Sequence, residues 1–351
     1  MPGPDRSPSS LPAVRALFQQ RVDGDDALLR LAGLRFAQAG LAAEVYADTP
    51  EQLERLLGFV APHPCLPVVH LNRGVNLLHE RGRAVVKAFA ARFAGRVWGL
   101  VVHDKAEMAA RRDDVVAAMR ALGAQLDQRA GGPYLLLEYA AGLELDWFAE
   151  LAERLSDAER VSFCIDVGHV GIRQARSSFA RRHPGLDLGA LGPQDPRLPE
   201  LVADVQTAVA SALPAVLGLT RSLGRVAKPL HFHLHDGHPV ISGLSDHFSF
   251  LTQVPIPFAH DGRRSLAPLY GPRGLAAIVA AAIQALGTER ASLTLEIHQA
   301  EGRLPLGDAA ELFRHWRDTT NAERANYWLS VLAENQVLMR SILQSASNSQ
   351  S

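Results

Sequence analysis

Cysteine is scarce in this chain of 351 residues: only Cys65 and Cys164 occur, both in apolar segments. That argues against a disulfide framework and fits a reduced, cytoplasmic protein. Neither sign of charge is in excess, since 36 Lys and Arg stand against 37 Asp and Glu, a formal net charge of −1. No global field therefore draws the molecule to nucleic acid or to an anionic membrane. Aromatic residues make up 6% of the chain and form no basic, aromatic-laced stripe that would fit a duplex. Nucleic acid is a disfavoured partner on these grounds, although a local basic patch would suffice for one. No apolar run stands out at the ~18 residues of a membrane helix, so no membrane partner is expected. Residues 1–12, MPGPDRSPSSLP, lack an apolar signal core and read as a disordered leader, as residues 344–351 read as a disordered tail. No internal repeat or linker divides the stretch between them, which leaves 13–343 as a single domain with a C-terminal helical extension.

An apolar fraction of 47% is enough for a sizeable core. More telling, six short apolar runs each end at, or next to, a residue able to bind a metal. They are PVVHL (His70), VWGLVVHD (His103), YLLLEY (Glu138), VSFCIDVGH (Asp166 and His169), PLHFHLHD (His233) and SLTLEIH (Glu296). Four to eight apolar residues are the pattern of a buried β-strand. Polar residues at the ends of six successive strands point to one shared site, the layout of a parallel (β/α)8 barrel with its active site at the C-terminal face. The alternation predicts strands at 43–46, 67–70, 97–103, 134–138, 161–166, 229–235 and 292–296, with the eighth hidden near 14–18. Helices are expected between them, among them one unbroken helix at 198–223 and another at 307–317. Two stretches, 171–197 and 237–272, exceed ordinary loop length and are candidate lids or substrate walls on the catalytic face. Beyond the last strand, Tyr327, Trp328, Leu332 and Met339 are expected to cover the barrel base or to meet a second copy of the chain.

These segments, in order from about residue 40 to 300, resemble the xylose isomerase-like barrel superfamily, and the ligand set most resembles that of endonuclease IV. HLNRGVNLLHERG resembles the first histidine segment, VVHDKA the second, LLLEYAAG the segment of the bridging glutamate and FCIDVGH the D-x-x-H segment. HFHLHD resembles H-x-N-D, with His235 where asparagine is usual, and LTLEIH the closing glutamate. The resemblance implies one metal on His70, His103 and Glu138. It implies a second on Glu138, Asp166, His233 and Glu296, with Glu138 bridging. Carboxylates and neutral imidazoles suit Zn, Mn, Fe or Co, and one to three divalent ions are expected. A third ion would need His169 and an Asp-x-His element. The chain departs from that pattern, because Asp246 is followed two residues on by Phe248, while His247 is adjacent. His169 is open to a role as ligand or as hydrogen-bonder to substrate. His231 and His235 share the strand face of His233 and are assigned to substrate binding or to support of the ligands. His298 is expected on the face of Glu296, above the site. Arg173 and Arg176 are candidates to grip a phosphate or carboxylate, against the alternative of a solvated face.

Three chemistries fit a small-molecule substrate. The leading expectation is isomerisation or epimerisation of a sugar or polyol, with Glu138 and Glu296 as the acid/base pair across one metal. Missing from the chain is the arginine usual after the ligand histidine in such enzymes, since Gly237, His238 and Pro239 stand there. The alternative is a multinuclear hydrolase of the endonuclease IV kind, favoured by His70 and His103. Against it, the glycine-rich first-strand segment and the DNA-reading loop of that family have no counterpart. A di-iron redox enzyme would use the same cage, and a non-catalytic binding protein is the least favoured reading.

Overall fold

The computed structural model describes residues 12–18, 22, 24–192, 195–237, 259–260, 264–296 and 320–348. Strands β1 (Ala13–Leu17), β2 (Ala42–Ala47), β3 (Val68–Leu71), β4 (Gly99–His103), β5 (Tyr134–Glu138), β6 (Val161–Asp166) and β7 (Leu230–Leu234) follow one another along the chain. Two short strands, β8 (Ala259–His260) and β9 (Arg264–Ser265), pair antiparallel, and β10 (Ala291–Leu295) follows. All but β8 and β9 are parallel and close into a barrel in the order β1-β10-β7-β6-β5-β4-β3-β2. The chain is a (β/α)8 barrel. The strand expected near 14–18 is β1, and it completes the ring by pairing Val14 with Leu293 on one side and Leu17 with Glu44 on the other.

Helices α1 (Asp26–Ala39), α2 (Pro50–Leu57), α3 (Glu80–Phe93), α4 (Arg112–Asp127) and α5 (Leu145–Arg154) fill the first half of the outer shell. Their ends are written locally. Asp25 caps α1 by accepting from the amides of Ala27 and Leu28, and Gly40 ends it at φ 62°, a left-handed conformation that suits glycine. Thr49 caps α2, and Pro50 opens it where no amide is needed.

The second half departs from expectation. The stretch 171–197 is not a long loop, because α6 (Val167–Arg182) occupies most of it. The helix starts directly off β6: Asp166 is both the last strand residue and the N-cap, accepting from the His169 amide. Its glycines obscured the pattern, yet they are sites of close packing. A Cβ on Gly168 would overlap the His235 ring, and one on Gly171 would overlap the Tyr270 hydroxyl. The single helix expected at 198–223 is two, α7 (Leu198–Ala210) and α8 (Ala212–Gly224), which meet at Ser211. Together they also correct the expectation that no segment is apolar enough for a membrane. Leu198–Gly224 meets that test by length and composition, with a mean hydropathy of 1.5. In the barrel, α7 packs on α6, and α8 packs between α6 and α9 (Gly271–Arg290). The helix expected at 307–317 lies outside the described residues.

The last helix, α10 (Asn321–Asn348), runs past the point where a disordered tail was expected to begin. It lies across α1 and α9, with Trp328, Leu332 and Met339 buried in the main core and Trp328 against Phe36. These three side chains are therefore burial sites within the same chain.

The barrel interior is divided. Below the mouth on β3–β6 it is apolar apart from Ser162, with Val68, Val101, Leu136 and Cys164 packed together over Trp98 and Tyr134. On β1, β2, β7 and β10 it is polar, with Arg15, Glu44, His231, Ser292 and Thr294 all buried. Interiors of such barrels are usually filled with branched apolar residues, so the polar half marks a region built for something other than packing. Burial pushes the Cys164 thiol well above its usual range. Labelling the native protein with a thiol reagent should therefore modify Cys65 alone, with Cys164 reacting only after denaturation. Two equivalents of rapid labelling in the native state would contradict that placement.

Candidate metal centre

Strand alternation sends His70, His103, Glu138, Asp166, His233 and Glu296 to the C-terminal mouth of the barrel from six strands or strand ends. Two groups form around Glu138. In the first, Glu138 Oε2 lies 2.9 Å from His70 Nε2 and 3.2 Å from His103 Nε2, and the two ring nitrogens are 3.2 Å apart. His70 Nδ1 lies 3.1 Å from the Leu71 carbonyl, which can only accept, so Nδ1 carries a proton. In the neutral ring, Nε2 then presents a lone pair to a carboxylate oxygen. Two acceptors face each other across 2.9 Å unless a proton or a cation lies between them. Burial opposes charging His70, yet Glu138 beside it holds its pKa above the usual value.

In the second group, His233 Nδ1 stands 3.5 Å from Glu138 Oε1 and 3.4 Å from Glu296 Oε2. One ligand atom each from Asp166, His233 and Glu296 lies within 4.8 Å of the other two. Buried polar atoms are normally hydrogen-bonded. Here Glu138 Oε2, Asp166 Oδ2 and His233 Nδ1 are buried without a well-formed hydrogen bond. Burial penalises a charged Glu138, but His103, His70 and His233 hold its carboxyl well below the usual range.

Charge bookkeeping leads to the same place. Among the described residues, Glu44, Glu138, Asp166 and Glu296 are buried inside the barrel, and Arg15 is the buried guanidinium there. Uncompensated buried carboxylates are costly, and protons on the histidines or bound cations are what can balance them. The donors are imidazole nitrogens and carboxylate oxygens, which suit Zn, Mn, Fe or Co. The residues present fit one ion at His70, His103 and Glu138, and another at Asp166, His233 and Glu296.

The remaining candidates fall in different places. His169 is on the first turn of α6, 23% exposed, with Nε2 3.4 Å from Asp166 Oδ2, so it reaches the mouth. His235 is fully buried with Nε2 2.8 Å from Asp166 Oδ1, and its ring is hemmed in by Gly168. His231 is fully buried a layer below His233, bonded to Glu44 and Ser292. Substrate contact, expected of His231 and His235, is at odds with these positions. Both stand behind the ligand groups and touch them or their supports instead. Arg173 bonds the Ala141 carbonyl and pairs with Glu144, while Arg176 forms a two-pronged pair with Asp187 at 3.0 and 2.6 Å. Both guanidinium groups already have acidic partners, at the wall of a cavity of about 650 Å³ beside the mouth. Asp246, His247 and His298 lie outside the described residues.

Sequence reading missed two residues. Glu44 on β2 accepts from His233 Nε2 at 2.9 Å and from His231 Nε2 at 3.0 Å. Tyr46, two residues on, donates to Glu296 Oε1 at 2.7 Å and stacks on His70 at 4.3 Å between ring centres. Burial first, and then the Glu296 charge, raise the Tyr46 pKa well above its usual value, which keeps it a donor. The available signal was a glutamate inside the apolar strand AAEVYA, with Tyr46 at period two on the same face.

No protein-family model and no curated protein matches the chain. Among solved structures it is similar to the carboxyl transferase domain of pyruvate carboxylase from Rhizobium etli, with pyruvate. There the identity is 12% and the TM-score 0.42, over 94% of this chain and 48% of the other. A second structure of that domain gives 12% identity and a TM-score of 0.36, over 95% and 48%. This chain spans about half the length of those chains.

Proposed function

We propose that the protein is a divalent-metal-dependent enzyme of the xylose isomerase-like kind whose paired metal site serves hydrolysis of a small-molecule ester or phosphoester. The observation that carries this reading is the position of Glu138. Its Oε2 meets the ring nitrogens of both His70 and His103, while its Oε1 faces His233. A carboxylate engaged on both oxygens would serve to hold metal on each side and would be a poor proton carrier. That weakens Glu138 as one half of an acid/base pair. Two cations at such a site supply Lewis acidity and hold reacting oxygens in place.

The chain's own residues then divide the work. Tyr46 holds Glu296 Oε1 and leaves Oε2 turned toward His233. His235 and the amide of His169 hold Asp166 Oδ1, which leaves Oδ2 directed at the ligand group. His169, backed by Asp166 and partly exposed, is placed to give a proton to a leaving oxygen or to hydrogen-bond the substrate. A small molecule fits better than a duplex, since the chain has no net positive charge and Arg173 and Arg176 are taken up by acidic partners.

Isomerisation or epimerisation is the second reading, favoured by one observation: Glu138 and Glu296 flank His233 Nδ1 at nearly equal distance, 3.5 and 3.4 Å. That is how two carboxylates would face each other across a single ion. Metal content separates the two. On protein purified without chelator or a metal-affinity column, elemental analysis should find two equivalents per chain, falling to one in His70→Ala. One equivalent in both proteins would return His70 to a core role and shift the weight to isomerisation, to be followed with ketoses and polyols. Two equivalents of iron would direct attention to redox chemistry in the same cage.

A further inference from the structure

Beneath the mouth runs a chain of buried hydrogen bonds that no step above uses. Arg15 Nη1 donates to Ser292 Oγ at 2.6 Å, and its Nε and Nη2 both donate to the Leu66 carbonyl. Ser292 Oγ is 2.8 Å from His231 Nδ1, His231 Nε2 is 3.0 Å from Glu44 Oε2, and Glu44 Oε1 is 2.9 Å from His233 Nε2. All five residues are buried, at 4% exposure or less.

The chemistry of the end members sets the direction of every proton. A guanidinium only donates, so the Ser292 oxygen accepts from Arg15 and its own hydrogen is free for His231 Nδ1. Nδ1 of His231 is then the acceptor and Nε2 the donor, as an ionised Glu44 requires. Each oxygen of Glu44 faces one imidazole nitrogen, at 3.0 and 2.9 Å, the arrangement of a carboxylate that accepts from both rings. The other oxygen of Glu44 also only accepts, so the Nε2 of His233 must carry hydrogen.

We infer that Glu44 is a positioning residue: it fixes His233 with its proton on Nε2 and so turns the Nδ1 lone pair toward Glu138 and Glu296. Arg15, Ser292 and His231 hold Glu44 in the orientation that does this. The inference rests on the metal reading above, because an imidazole lone pair aimed at carboxylates is useful only to a cation. A ligand histidine that donates its other N–H to a carboxylate is a recurrent arrangement, and loss of the outer partner typically weakens metal binding by roughly 10–100-fold.

Cobalt(II) titration of the chelator-treated full chain, followed by visible absorption and calorimetry, separates the two levels. Wild type should show two sites, the metal reading's own test. In Glu44→Gln, the site that includes His233 should weaken by roughly 10–100-fold while the His70/His103 site keeps its affinity. Ser292→Ala, one link further out, should weaken the same site by less. Equal weakening of both sites would make Glu44 merely structural and overturn the inference. A metal-independent readout is the nitrogen-15 spectrum of histidine-labelled, metal-free protein. His231 should be protonated at Nε2, and His233 should show an Nε2 proton protected from exchange that is lost in Glu44→Gln. A proton on Nδ1 of His231, or an exposed His233 Nε2, would overturn the inference even if wild type bound no cobalt.

Discussion

Treatment with a chelator is expected to lower the melting temperature by about 8 °C for each ion removed. An ion present at 1,000 times its dissociation constant stabilises the folded state by about 4.1 kcal/mol. At roughly 2 °C per kcal/mol, the low end of the range for chains of 150–250 residues, that gives the figure. The physical source is local. With the cations gone, Glu138, Asp166 and Glu296 face each other in the barrel mouth with only the histidines to compensate them. Glu138→Gln should melt at nearly the same temperature with and without chelator, because one charge is shared by both ligand groups. Thermal melts of both proteins, with and without chelator, test this. A wild type indifferent to chelator and metal would remove the basis for the proposed function and leave protonated histidines to balance the carboxylates.

Trp328→Ala should cost about 3–5 kcal/mol, the usual range for truncating a buried tryptophan. Trp328 is 2% exposed and lies 6.5 Å from Phe36, which in turn meets Phe18 edge-on at 5.3 Å. Phe18 follows directly on β1, so the contact runs from the last helix to the strand that closes the barrel. Urea unfolding should show a lower midpoint with an unchanged slope. A loss below about 1 kcal/mol, ordinary for surface positions, would mean that α10 is an ornament and not part of the closure. The effect should also leave metal content intact, since α10 lies over α1 and α9, whereas the ligands project from the barrel mouth.

Much of the barrel was readable along the chain because each strand is short, apolar and bounded, and because its polar end residue interrupts the run. The strands at Val68–Leu71, Tyr134–Glu138 and Val161–Asp166 match their predicted ranges to within a residue or two for that reason. Helix α6 was not readable. Its Arg- and Gly-rich sequence resembles a loop, and its stability comes from the Asp166 cap and from contacts with His235, Tyr270 and Ala212, which are distant in sequence. The break at Ser211 did have a sign in the sequence, Pro214, which offers no N–H to the Ala210 carbonyl, but the apolar helical pattern on both sides ran through it.

The sequence by itself determined the fold class and the identity of six residues that meet at the barrel mouth, since period-two alternation and strand order suffice to place them there. Only the tertiary structure decided what surrounds each of them. It showed Glu138 standing between two groups, His231 and His235 buried behind the candidate metal residues, Arg173 and Arg176 already paired, and Glu44 and Tyr46 in contact with His233 and Glu296. Each of these depends on hydrogen bonds between strands far apart in the chain, such as Glu44 to His233 and Tyr46 to Glu296. Periodicity along one strand records which face a side chain takes, but not which partner the closed barrel brings to it.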